Sequence, residues 1–194
     1  MAALSDTKRI AFFINIYQCM YVHHFFKMVN EGDKSKEVGY LNQLKQLITR
    51  GQQDFCYNIA GNFYTLDQIK HGILRGNKKK PGNCLSTLAY SDPKTLLLSN
   101  TIHKDPRINF ICLDFPDFVE HIEVIHGEDQ DQLNQSLNEF VGEILNAKVV
   151  VNLMNDEFVV PALVKTYRDD FGGSDQSIIE FIYGYLENPD ISLD

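Results

Sequence analysis

The chain has 194 residues, 18 basic and 26 acidic side chains, a net charge of −8 and 44% apolar residues, enough for one well-filled core. The acidic balance argues against nucleic-acid or anionic-membrane binding, both of which need a basic face. No apolar run is long enough to span a bilayer, and a start carrying Asp6, Lys8 and Arg9, followed by Asn15 and Gln18, lacks the pattern of a signal peptide.

The first predicted element is a long helix over residues 5 to 30. Ser5 is placed as its N-cap. Phe12, Phe13, Ile14, Ile16, Tyr17, Met20, Tyr21, Val22, Phe25 and Phe26 put apolar groups on every face, the pattern of a central, buried helix. Residues 37 to 50, with Leu41, Leu44, Leu47 and Ile48 on one side, predict a second amphipathic helix. Phe55 to Ile59 and Asn62 to Tyr64 flank Ala60-Gly61 and predict a hairpin.

A third helix follows with its start and stop written in the sequence. Thr65 and Gln68 form a capping box, Leu66, Ile69, Ile73 and Leu74 form an apolar face, and Gly76 occupies the position of a left-handed C-terminal cap. Residues 76 to 92 read as loop, with a short helix over 93 to 99. Arg107 to Leu113 alternates and reads as a strand. A helix over 129 to 146, a hairpin over 149 to 160, and helices over 161 to 170 and 174 to 187 complete the chain. Helices outnumber strands and the strands come as hairpins. The expected fold is therefore α+β: a mainly helical single domain with a small mixed or antiparallel sheet and a long buried N-terminal helix.

Two groups of residues could carry chemistry. His71 and Arg75 lie four apart on one helix face, either the edge of a polar site or a solvated flank. Asn15, Cys19 and His23 form a polar stripe along an otherwise apolar helix, and buried polar groups need partners. His71 with Arg75, or Asn109 on the expected strand, could face that stripe. The stripe could equally be a Cys–His site or a hydrogen-bonded network; mid-helix, Cys19 lacks the helix N-terminus that would favour a thiolate. Cys112 is the other candidate thiol. The four cysteines, Cys19, Cys56, Cys84 and Cys112, include no Cys-x-x-Cys pair, so neither a zinc ribbon nor a redox pair is indicated. No metal and no cofactor are expected, and reduced thiols suggest a cytoplasmic setting.

Several blocks carry a resemblance. Phe12-Phe13-Ile14-Asn15-Ile16-Tyr17 comes first, then Tyr57, Ile59 and Gly61. Tyr64-Thr65-Leu66-Asp67, Ile69 and His71-Gly72-Ile73-Leu74-Arg75 follow. Asp105-Pro106-Arg107-Ile108-Asn109-Phe110, and finally Tyr167, Asp170, Phe171 and Gly172, complete the set. In this order they resemble the signature of domain of unknown function 547. The resemblance implies that Asn15, His23, His71, Arg75, Arg107 and Asn109 share a polar region. It also implies departures: Asn109 stands where the family has a histidine, and Asp114 to Glu120 where it has a small Cys/Ser-bearing turn. An amide cannot serve as a base near neutral pH. The expectation is thus a protein-interaction module with a degenerate active-site region, flanked by other domains. Its acidic stretch from Asp114 to Asp131, with Phe115 and Phe118 interleaved, could dock a basic protein partner or equally be a plain acidic surface. The alternative is a thiol-dependent hydrolase or acyl transferase of transglutaminase or papain-like type, using Cys112 or Cys19 with a nearby histidine such as His23 or His71.

Overall fold

The computed structural model describes residues 4–31, 55–98, 105–112, 122–152 and 157–186. The helix expected over 37 to 50 and the acidic residues from Asp114 to Glu120 lie outside these.

Helix α1 spans Asp6–Glu31, and Ser5 Oγ accepts from the Lys8 amide at 3.4 Å. Phe13, Ile14, Tyr17, Met20 and Tyr21 are sealed in the core. The helix is not buried all round, however. Cys19, His23 and Phe26 are exposed along one stripe that begins at half-buried Asn15. The sequence masks this stripe because Phe26, 58% exposed, continues it as an apolar residue.

Strands β1 (Cys56–Ile59) and β2 (Asn62–Thr65) pair antiparallel through a two-residue turn. Ala60 and Gly61 both take positive φ, 52° and 86°, the conformation such tight hairpins require. Directly after β2 the expected capping box forms: Gln68 N–H donates to Thr65 Oγ1 at 3.2 Å, and Thr65 N–H donates to Gln68 Oε1 at 3.4 Å. The helix it starts is a π helix over Gln68–Leu74. Its wide turns are closed by Arg75 N–H to Lys70 C=O and Asn77 N–H to Gly72 C=O. Gly76, at φ 61°, ends it as predicted. This helix packs on α1, and Ile69, Ile73 and Leu74 join the core.

The predicted strand over 107 to 113 is instead a helical turn, α2 (Ile108–Ile111). Asp105 Oδ1 accepts from the Arg107 amide at 3.0 Å, and Pro106 fits the first turn of a helix, where no amide donor is needed. Local capping outweighs the β preference of Ile108, Phe110 and Ile111, which still reach the core. Helix α3 (Gln130–Lys148), capped by Asp129, buries the predicted face of Leu133, Leu137, Phe140, Val141, Ile144 and Leu145. Strands β3 (Val150–Asn152) and β4 (Glu157–Val159) pair antiparallel. Helix α4 (Ala162–Thr166), a 3-10 turn at Arg168–Phe171 and helix α5 (Asp175–Tyr183) follow. The architecture is mostly helical with two small antiparallel ribbons, and no helix among the described residues is long and apolar enough to cross a membrane.

Residues 122 to 128 run along α1 without regular structure, and one side chain holds them. Asn15 Nδ2 donates to the Ile125 carbonyl at 2.9 Å and Asn15 Oδ1 accepts from the Ile125 amide at 2.9 Å. The side chain thus pairs as a neighbouring strand would. Gly127 allows the close approach, since a Cβ there would stand 2.7 Å from the Thr7 carbonyl oxygen. Asn15→Ala leaves the buried Ile125 peptide groups unpaired and is expected to cost about 1–3 kcal/mol. Gly127→Ala is expected to destabilise through a clash with backbone that cannot yield. Urea unfolding measures both losses; an unchanged midpoint in both variants would show that this segment is not held.

Candidate functional site

The densest polar cluster is centred on Asp170. Its Oδ2 accepts from Arg75 Nε at 2.8 Å and from Asn109 Nδ2 at 2.9 Å and forms an ion pair with Arg75 Nη2 at 2.8 Å; its Oδ1 accepts from Lys78 Nζ at 2.7 Å. The carboxylate side chain is 6% exposed. Burial works to raise its pKa, but the hydrogen bonds from Arg75, Lys78 and Asn109 outweigh it, and the pKa falls below the ordinary 3.8. Three separate parts of the chain meet here: the end of the π helix, α2, and the 3-10 turn at 168–171.

His71 lies beside this centre, 1% exposed, and its Nδ1 accepts from Arg75 Nη1 at 2.8 Å. The guanidinium can only donate, so the ring is neutral and its second nitrogen carries the proton. Burial first, then the charges of Lys70, Arg75 and Lys80, lower its pKa to about 2. Asp67 Oδ1 is 3.9 Å from His71 Nε2, beyond hydrogen-bonding distance, and both Asp67 oxygens bind Lys80 Nζ at 3.0 Å. Tyr167 closes the cluster: its ring stacks on His71 and carries Lys70 Nζ and the Arg75 guanidinium each 4.7 Å from its centre. A cleft of about 420 Å³ opens beside Arg75 and Asp170, edged by Lys79, Lys165 and Arg168.

The Asn15–Cys19–His23 stripe faces neither His71 nor Asn109. It borders a second cleft of about 460 Å³, between α1 and residues 122–124. Cys19 and His23 share this cleft, and the Tyr57 hydroxyl stands by both. It lies 2.6 Å from His23 Nδ1, and burial first, then the charge of Cys19 and a hydrogen bond with it, raise its pKa. No direct hydrogen bond joins His23 to the Cys19 sulfur; the Tyr57 hydroxyl stands between them in the network. Cys112 is fully buried in the core, far in character from a cleft residue, and the four cysteines form no disulfide. Arg107 does not join the Asp170 cluster. It binds Asp105 and reaches Asn134 and Asn138 on α3, fixing α2 against that helix. No three potential metal ligands converge among the described residues. Asp170 and Tyr167 are centre residues that the composition of the π helix alone could not reveal. Gln18, a position at which the family usually has a second asparagine, is 2% exposed and its amide has no hydrogen-bond partner among the described residues.

The cluster makes stability depend on pH. Folded His71 binds its proton only near pH 2 and the unfolded ring near 6.5. Between these values the unfolded state holds more protons, so stability rises with pH and is lost on acidification. The slope from this ring approaches ~1.4 kcal/mol per pH unit. Asp170 adds its loss only as the pH falls through and below the ordinary carboxylate range. His71→Gln keeps an acceptor for Arg75 and should flatten the slope between pH 4 and 6.5 in urea titrations; equal slopes would place the proton uptake elsewhere. Asp170→Asn leaves the buried guanidinium without its counter-charge and should cost about 3–5 kcal/mol in the same assay.

The family model described as "Protein of unknown function, DUF547" matches residues 1–141. No curated protein and no solved structure matches the chain. The match takes in α1, the hairpin, the π helix and α2, and stops before Tyr167 and Asp170, which complete the polar centre from beyond it. On a match covering well over half of its residues, this chain belongs to the DUF547 family.

Proposed function

We propose that the chain is a protein-interaction module in which the polar centre serves the fold rather than catalysis. Occupancy supports the reading. The His71 nitrogen that could act as a base is taken by Arg75, and the Asp170 carboxylate holds three hydrogen bonds from three side chains, two of them cations. A general base must be free to take a proton from its substrate near neutral pH, and a ring with a pKa of about 2 cannot. Asn109 spends its amide donor on Asp170, completing a structural role where a titratable ring would offer chemistry. In this reading the family's reactive region is degenerate here, and other domains flank the module.

Residues 122–131 offer the interaction surface. Glu123, Glu128, Asp129 and Asp131 are exposed, with Ile122 48% and Val124 68% exposed beside them. The segment suits a basic partner with apolar side chains, where charge steers the encounter and apolar contact holds it. A fluorescein-labelled peptide of alternating Lys and Leu should bind in a salt-dependent manner by anisotropy. Glu123→Lys with Asp131→Lys should weaken it about tenfold; equal binding by the double variant rejects a basic partner at this surface.

A second reading, thiol chemistry at Cys19, has one observation in its favour: Cys19 and His23 share an open cleft with the Tyr57 hydroxyl beside both. Alkylation by iodoacetamide at pH 7 separates the readings. The module reading expects Cys19 to react no faster than exposed Cys56 and Cys84. Much faster reaction at Cys19, lost in His23→Ala, would replace that reading with the thiol one.

A further inference from the structure

The cleft beside Arg75 and Asp170 gathers positive charge on a chain whose net charge is −8. Arg75, Lys79, Lys80, Lys165 and Arg168 line it, against the carboxylates of Asp169 and Asp170. The run Lys78-Lys79-Lys80 divides between two tasks. Lys78 Nζ binds Asp170 Oδ1 at 2.7 Å, and Lys80 Nζ binds both oxygens of Asp67 at 3.0 Å. These pairs pin the loop on either side of Lys79. Arg75 Nη1 donates to the Lys79 carbonyl at 3.3 Å, and Asn83 N–H closes a tight turn on the Lys80 carbonyl at 2.9 Å. Gly82, third in that turn, takes φ 83°. Lys79 is thus exposed on a fixed backbone, and its ammonium has no carboxylate partner among the described residues. Lys165, exposed at the end of α4, has none there either. Arg168 is matched by Asp175 at 2.6 Å. Asp170 shares a single charge between Arg75 and Lys78, which leaves a third positive charge unmatched. Asp169 offsets one of the three, and a surplus of two remains.

We propose that this cleft binds a dianionic phosphoryl group, held by the ammonium groups of Lys79 and Lys165. The charge surplus sets the valence: a phosphate monoester matches it, and a lone carboxylate matches half of it. The volume of about 420 Å³ exceeds a bare phosphate and lies within the range of small-molecule sites, so part of the group that carries the phosphate enters too. The acidic remainder of the chain repels a long polyanion, which confines anion binding to this cleft and disfavours a nucleic acid. The neighbouring His71 ring feels the same field. After burial, the charges of Lys70, Arg75 and Lys80 are what hold its pKa down. The proposal goes beyond the interaction-module reading: the surface at 122–131 and this cleft share no residue and attract charges of opposite sign.

The test is an NMR titration of the whole chain at constant ionic strength. The probes are inorganic phosphate, acetyl-phosphoserine-N-methylamide, glycerophosphate and acetate. Backbone amides of residues 79–83 and 165–170 should shift saturably at about millimolar phosphate. Lys79→Ala with Lys165→Ala should weaken every phosphate probe about tenfold or more while leaving the unfolding midpoint in place, since both side chains are exposed. Lys8→Ala with Lys27→Ala removes the same charge from exposed lysines outside the cleft and should leave binding unchanged. Affinity for the phosphoserine probe should fall between about pH 7 and pH 5, where a monoester takes up a proton and lysines stay charged. Tighter binding of the phosphoserine probe than of glycerophosphate assigns the group to a phosphorylated protein, and the reverse order assigns it to a phosphorylated metabolite; either order upholds the site. The proposal is overturned by the absence of saturable shifts, by undiminished binding in the cleft variant, by an equal loss in the control pair, by acetate binding as tightly as phosphate, or by an affinity indifferent to pH.

Discussion

The Asp170 carboxylate is the constraint on which the rest of the polar architecture depends. It comes from the 3-10 turn near the end of the described chain, yet it holds Arg75 and Lys78 from the π helix and loop and Asn109 from α2. Arg75 in turn fixes the His71 ring. One buried carboxylate therefore joins three segments that are distant in sequence. Charges taken out of water must be matched closely, and a buried pair that loses one member is worse than no pair. That makes the geometry of the cluster specific: the π helix cannot shift without separating a buried charge pair, nor α2 without removing a hydrogen bond from the buried carboxylate.

The same principle works at smaller scale along α1. Amide side chains act there as pieces of backbone. Asn15 takes the place of a strand partner for Ile125, and Gly127 lets the chain approach Thr7 closely. The exposed stripe beyond, with Cys19, His23 and Phe26, runs along the side of α1 opposite its buried core face. The fold thus keeps two polar regions apart. One is held by charges that pair with one another beside a polar cleft; the other borders a cleft whose walls are apolar.

Local signals were legible where they depended on neighbours in sequence. The Thr65–Gln68 capping box, the Ala60-Gly61 turn, the cap at Gly76 and the apolar face of α3 all stand as read. The misreadings arose where two local rules competed. Alternation of Ile108 and Phe110 favoured a strand, while Asp105-Pro106 supplied a helix start, and the cap won. The π character of 68–74 left no mark in the apolar spacing. In the candidate site, the polar nature of Asn15, His23, His71, Arg75 and Asn109 was visible, but their pairing was not. Asn15 found Ile125, His23 found Tyr57, and Asn109 found Asp170. Such partners lie tens of residues away and are chosen by packing, which periodicity does not encode. Arg107 read as part of the same region and instead braces α2 on α3.

The π helix has a consequence for how sequences of this kind can vary. Closing its turns at five residues rather than four makes it equivalent to an α helix carrying one inserted residue. Its length is therefore fixed to the residue. A chain with one residue fewer between the Thr65 cap and Gly76 would regain ordinary α geometry and turn Arg75 by about 100° about the helix axis relative to the cap. The guanidinium would leave both His71 and Asp170. Six of the seven residues of this helix are buried, so it is constrained in identity as well as in length, and the spacing from cap to arginine is a mark of this fold in its own right.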